Sequence, residues 1–237
     1  MRRLEVLAVE GMGEVAPGDV LAASIVDAVG RKGPALADGD VVVVTQKVVS
    51  KAEGRLVELD PHDAHARRHL VEEQSLRVLR VRDELLITET PHGFVCANAG
   101  IDLSNVASGR AALLPLDADR SARRIRDGLR ARLGIEVGVV VSDTFGRPWR
   151  RGSTDVAIGC AGVAAVVDLR GTPDGLGRPL QVTEVAVADE LASAAELVMG
   201  KASGVPVAVV RGVDPAWLRP SSVAAEVVRP PGENLFW

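Results

Sequence analysis

Tyrosine is absent from the chain of 237 residues, and only three phenylalanines and three tryptophans are present. The core must therefore be built from Val, Leu, Ala and Ile, and few rings remain to stack the bases of a single nucleic-acid strand. Cysteine is nearly as scarce. Cys96 and Cys160 have neither CxxC nor zinc-finger spacing, which excludes a disulfide framework and leaves each read as a small buried hydrophobe. A basic excess is missing too: the formal net charge of -4 leaves no surplus cation to displace counterions from a phosphate backbone. That excludes nucleic-acid binding by bulk electrostatics, while local arginine clusters remain able to hold one small phosphorylated molecule. No long apolar run occurs near the start, where MRRLEVLAVEGMGEV is broken by Glu5 and Glu10. Neither a secretory signal nor a membrane-spanning helix is expected, and a cytoplasmic location is.

What is present suits a globular protein: 47% hydrophobic and 25% charged residues supply a substantial core, as one large domain or two smaller lobes. Strand and helix patterns alternate irregularly, without an internal repeat. The fold class is therefore α/β or α+β, without Rossmann order and without a P-loop, because GxxxxGK[ST] does not occur.

The densest chemistry lies in VVVSDTFGRPWRRGSTDVAIGC, residues 139–160. A buried strand delivers Ser142-Asp143-Thr144 to an exposed end, and a carboxylate beside a hydroxyl suits a hard cation. Gly146, Pro148, Gly152 and three arginines (Arg147, Arg150, Arg151) come next, a loop able to bring cations and bare amides to a polyanion. The alternative is a surface turn whose arginines pair with Asp143 and Asp155.

Earlier in the chain, residues 4–9 alternate as a strand, and Asp19 is placed to cap a helix over Val20 to Val29. Val41 to Val44 reads as a strand covered on both faces. Lys47 and Lys51 then lie one helical turn apart, so a helix there would aim both at an anion; the competing reading is a solvated lysine pair. Asp60-Pro61 opens a further helix as cap and first residue. Its His62, His65 and His69 fall on one face, a spacing that polar helix surfaces give by chance, so no metal site is read there. Residues 78–81 and 85–88 suggest a hairpin. In the segment 91–106, Asn98, Asp102, Ser104 and Asn105 could serve a metal, a base or a sugar, or simply form Asx turns. Residues 115–134 read as an amphipathic helix with Ile125, Leu129 and Leu133 on its apolar stripe and Gly134 as its stop. Val163 to Leu169 reads as a buried strand, Thr183 to Met199 as an alanine-rich helix, and Val207 to Val210 as a last strand before a proline-rich tail that wraps the surface.

Four segments in this order, VVVVTQKVVSKAEG, HGFVCANAGIDLSNV, VVSDTFGRPWRRGSTDVAIG and ELVMGKASGVPVAVVRG, resemble the coenzyme F-420:L-glutamate ligase family, also called coenzyme F-420-0:gamma-glutamyl ligase, over nearly the whole chain. The resemblance implies one ligase domain over residues 1–237, a two-lobed, V-shaped subunit with a mixed sheet, paired as a homodimer. It implies GTP-dependent addition of L-glutamate to coenzyme F-420-0, with gamma-linked elongation, using Mg or Mn and potassium. By motif, Asp102, Asp143 and Thr144 would be metal ligands. Met12, Gly13, Glu14, Val15, Thr45, Gln46, Lys51, Asn105, Gly200, Lys201, Ala202, Ser203 and Gly204 would contact GTP. No nucleic acid or membrane is implied as a partner.

Three departures from the family pattern accompany it. Lys201 stands where some relatives have a metal-associated glutamine, Pro91 stands where an arginine is common, and a nitroreductase-like flavin domain is not part of the sequence, so either the ligase half alone or an excised domain is expected. A different metal-dependent amide ligase or phosphotransferase, and a GTP-binding module without turnover, are the competing functions. On the motif reading, Asp143→Ala abolishes turnover while circular dichroism remains that of the parent; near-normal turnover in that variant would refute the metal assignment.

Overall fold

The computed structural model describes residues 3–234; residues 235–237 of the proline-rich tail lie outside them. In chain order the elements are β1 (Glu5–Ala8), α1 (Leu21–Arg31), β2 (Val41–Thr45), α2 (Gln46–Ala52), β3 (Leu56–Glu58), α3 (Ala64–Glu73), β4 (Arg77–Arg82), β5 (Leu85–Glu89), β6 (Val95–Ala97), β7 (Arg110–Ala112), α4 (Ala118–Leu133), β8 (Gly138–Arg147), β9 (Arg150–Ala161), β10 (Val167–Asp168), β11 (Glu184–Val185), α5 (Val187–Met199), β12 (Val207–Arg211) and α6 (Val223–Glu226).

A five-stranded sheet in the order β1-β12-β2-β8-β9 carries the core. Only β2 and β8 run parallel; the other neighbours are antiparallel. The sheet is thus mixed and outside Rossmann order, as the sequence suggested. Its unbroken valine run reflects burial on both faces. Val42 and Val44 pack in one cluster with Ile25 of α1 and Ile125 and Leu129 of α4, whereas Val41 and Val43 pack in a second with Val187, Leu191 and Ala195 of α5. Because strand side chains alternate, an apolar residue is required at every position.

A parallel pair cannot be closed by a hairpin, and the chain between β2 and β8 supplies the crossover. It carries the expected β4–β5 hairpin, extended by β6, the β3–β7 pair, and α3. Val71, Leu86 and Ala99 form a small core of their own there. The chain then returns through α4, which Asp117 caps by accepting from Arg120 N at 2.8 Å and which Gly134 ends in the left-handed conformation at φ 69°.

Several local expectations are corrected. Asp19 does not cap α1: its carboxylate accepts from Ala16 N at 2.8 Å and closes the preceding turn. Asp63, not Asp60, caps α3, accepting from His65 and Ala66 amides, because the Asp60-Pro61 turn commits Asp60 to the His62 amide. Leu133, at the exposed last turn of α4, is 38% accessible and leaves the apolar stripe. Residues 163–165 are fully buried yet not a strand; only Val167–Asp168 pairs, with Glu184–Val185. That pairing takes the first residues assigned to the last long helix, which therefore starts at Val187.

Close approach fixes one glycine. A Cβ on Gly159 of β9 would lie 2.3 Å from the carbonyl carbon of Ala118, at the start of α4. Gly159→Ala is expected to force α4 off the sheet and to cost about 3 kcal/mol, the upper end for overpacking, read as a lowered urea midpoint at unchanged slope. An unchanged midpoint would show that α4 shifts freely.

Candidate functional site

Parallel pairing brings the ends of β2 and β8 to one edge of the sheet, with Thr45 opposite Ser142. Beyond that edge lies a cavity of about 380 Å³, ample for a small polyanionic ligand. The loop after β1 contributes Met12, Gly13, Glu14 and Val15. The β2–α2 junction supplies Thr45, Gln46 and Lys51, the crossover Asp102 and Asn105, β8 Asp143 and Thr144, and the turn after α5 Gly200, Lys201 and Gly204. Of the residues singled out by motif, Ala202 and Ser203 do not line it; the Ser203 hydroxyl donates instead to the Met199 carbonyl at the end of α5.

The lysine pair is not solvated. α2 forms, and both side chains turn into the cavity, where Lys47 Nζ contacts Asp102 and the Ser104 hydroxyl at 2.8 Å each and Lys51 pairs with Glu14. Burial pushes the Asp102 carboxyl up, but hydrogen bonds from Lys47 and Ser104 outweigh it and hold the group below the usual carboxylate range. Of the other polar residues in that segment, Asn98 accepts from the Leu86 amide at 3.0 Å and serves the fold. Asn105 donates to the Lys201 carbonyl at 3.1 Å, joining two walls of the cavity. Gln46 is 1% exposed. One end of its amide meets the Ser50 hydroxyl at 2.8 Å, a hydroxyl that also reaches the Leu113 carbonyl at 2.6 Å, while the other end has no partner among the described residues, a buried polar group suited to a ligand.

Asp143 is 8% exposed. Burial, with the nearby charges of Asp102 and Asp155, raises its pKa to about 7, against the Thr144 amide and Lys201. Five carboxylates thus line one cavity, those of Glu14, Asp102, Asp143, Asp155 and Glu196, and a cation is the group that would relieve them. Among the described residues, no three His, Cys, Asp or Glu form a metal cage. The converging donors are all oxygens, which fits a hard cation that completes its shell from phosphate oxygens and water rather than from protein.

The arginine loop is corrected. β8 does not end at Thr144 but runs on to Arg147 and turns into β9, so Asp143 lies within a strand. Arg147, Arg150 and Arg151 do not line the cavity, and Arg147 donates to the carbonyls of Gly152 and Arg151. Asp155 takes hydroxyls, from Ser142 and Thr144, instead of arginines. Cys96, near Asp143, is buried and its thiol is pushed up to about 12, chiefly by burial; Cys160 is likewise near 12. Neither is poised as a nucleophile. Asp155 and Glu196 also line the cavity; each lies within one of the four family segments without being among the residues those motifs assign to metal or GTP. The hairpin turns at Pro148-Trp149 and, through the register shift between Gly146 and Arg147, sets Asp155 opposite Thr144, a pairing that no local signal gives; Glu196 carries none either.

The raised Asp143 pKa has a stability consequence. Between about pH 4 and pH 7 the native chain holds a proton that the unfolded chain releases, so stability falls as pH rises through that window. Asp143→Asn cannot titrate. It is expected to exceed the parent in stability above pH 7, by on the order of a few kcal/mol, with the difference vanishing below pH 4. Parallel melting-temperature profiles from pH 4 to 8 would refute this.

Comparison with known proteins gives a consistent assignment. The F420-0:Gamma-glutamyl ligase family matches residues 11–212. The chain is similar to the coenzyme F420:L-glutamate ligase of Methanothermobacter thermautotrophicus, 41% identical over 98% of each chain. It is similar to that of Methanopyrus kandleri, 42% identical over 94% of this chain and 93% of the relative, and to that of Methanocaldococcus jannaschii, 38% identical over 84% and 85%. With a family match across most of its length and relatives this similar over nearly all of it, the chain belongs to the F420-0:gamma-glutamyl ligase family.

Proposed function

We propose that this protein joins L-glutamate to coenzyme F-420-0 through an amide bond, driven by GTP. Family membership and the names of its relatives support the ligation. The observation that favours phosphoryl chemistry is the meeting of five carboxylates, three lysines and the unpartnered end of the Gln46 amide in one cavity.

A carboxylate and an amine do not condense at neutral pH, because the departing oxygen is a poor leaving group. In the proposed route a carboxylate oxygen of the coenzyme attacks the γ-phosphorus of GTP and GDP departs, leaving an acyl phosphate. The glutamate amine then attacks the acyl carbon, the C–O bond to phosphate breaks, and the amine loses its proton. Mg or Mn, held by Asp102, Asp143 and Thr144, would neutralise charge spreading over the phosphoryl oxygens. Lys47 and Lys51, held by Asp102 and Glu14, are in place to exchange those partners for phosphate. The unpartnered end of the Gln46 amide supplies a fixed polar contact to the nucleotide, with no existing bond to break. Lys201, whose charge reaches Asp143, adds a further lysine beside the reacting groups. Potassium and a homodimeric assembly belong to the same reading.

The test is mass spectrometry of coenzyme F-420-0 after incubation with the protein, GTP, Mn or Mg, and L-glutamate. A product heavier by one or more glutamyl units is expected, with GDP formed in equal amount for each bond. Unshifted coenzyme with GTP binding intact would make the protein a nucleotide-binding module, and turnover of other acids or amines alone would make it a different amide ligase.

A further inference from the structure

Asp155 is one of the most buried carboxylates in the protein, 4% exposed, and it lines the cavity. The lysines there pair with Asp102 and Glu14. Asp155 instead accepts the Ser142 hydroxyl on Oδ2 at 3.0 Å and the Thr144 hydroxyl on Oδ1 at 2.5 Å. Its main chain is held from a third side, where its carbonyl accepts from Ser193 of α5 at 2.7 Å. Ser142 is fully buried and outside the cavity, so its bond anchors the carboxylate without meeting a ligand. Thr144 does line the cavity.

A hydroxyl has one proton and two lone-pair sites. With its proton given to Asp155, the Thr144 oxygen can only accept. We propose that Asp155 is a positioning residue that fixes the Thr144 hydroxyl as an acceptor, turning its lone pairs to a divalent cation and preventing it from donating to a phosphate oxygen. The inference rests on the metal-assisted reading above and concerns how this chain builds one ligand of that site. The cross-strand register makes it possible. Thr144 pairs directly with Asp155, and a register shift between Val141 and Ser142 sets Ser142 opposite Ala157, so both hydroxyls stand on the carboxylate's face of the hairpin.

Replacing Asp155 by Asn exchanges one acceptor for an amide donor, so the two hydroxyls can no longer both donate. Mn(II) binding, followed by electron paramagnetic resonance with the nonhydrolysable analogue guanosine 5′-(β,γ-imido)triphosphate, is expected to weaken about tenfold or more in Asp155→Asn. Thr144→Val should weaken it comparably, and the double variant should be no more than about threefold weaker than the weaker single variant. In turnover, the apparent Mn(II) constant of Asp155→Asn should rise while kcat at saturating Mn(II) returns to within about twofold of the parent, a split that general loosening of the fold would not give. Ser142→Ala, which touches no ligand, should weaken Mn(II) binding about threefold by releasing one oxygen of the carboxylate.

Unchanged Mn(II) affinity in Asp155→Asn, or a double variant weaker by the product of the two singles, overturns the proposal, the latter by making Asp155 an independent ligand. Should Asp155→Asn fail to fold, Ser142→Ala decides alone, and an unaltered affinity there overturns it. A parent protein that binds no Mn(II) with or without the analogue defeats the metal-assisted reading itself, a result distinct from both.

Discussion

The parallel pairing of β2 with β8 is the constraint on which the remaining architecture depends. Register from Val41 opposite Gly138 to Thr45 opposite Ser142 carries both strands through the core in step and brings them out at the same edge. The groups at the two strand ends are therefore held side by side: the α2 turn with its two lysines, and Asp143 with Thr144. The crossover that such a pair requires returns with Asp102 and Asn105 on the cavity wall. β12, antiparallel beside β2, puts the turn after α5 at the same edge because it begins where β2 ends, Val207 opposite Val44. One ladder thus gathers groups from four separate stretches of chain.

The price of that gathering is electrostatic. Asp102, Asp143 and Asp155 share one cavity, and Asp143, desolvated by burial first and repelled by the other two carboxylates second, holds its proton to near neutrality. A cavity made of mutually repelling carboxylates stores free energy that a cation can release on binding, so affinity for the ligand and strain in the free protein have the same origin. The lysines temper this unevenly. Lys47 neutralises Asp102 directly, while Asp155 is served by hydroxyls alone. The asymmetry separates a carboxylate already paired from one kept ready to orient a neighbour.

Much of the core is legible in the sequence because its signals are local or periodic. Four valines in a row admit few structures other than a strand buried on both faces, and Gly134 after an amphipathic run stops a helix for steric reasons that need no tertiary context. Cap positions are less legible. Asp60 and Asp63 are chemically identical, and the choice between them turns on where Pro61 lets the chain turn. Residues 163–169 have the pattern of a strand because burial and strand formation often coincide. Here the burial comes from packing between α5 and α6, with little backbone pairing.

By itself, the sequence determined that the fold is mixed α/β, that a valine-rich sheet forms its centre, and that polar residues clustered after strands carry the chemistry; four motifs in order also pointed to the family. Only the tertiary structure decided which of those polar groups meet. It carried Arg147, Arg150 and Arg151 away along a hairpin and left Asp143 inside β8. It also brought in Asp155 and Glu196, which lie in the family segments without a role assigned to them there. The physical reason is that strand register and helix packing act between residues far apart in the chain. A side chain's charge state, partner and direction are set by those neighbours, whereas its tendency to be buried or to turn the chain is set by its own chemistry and that of the few residues beside it.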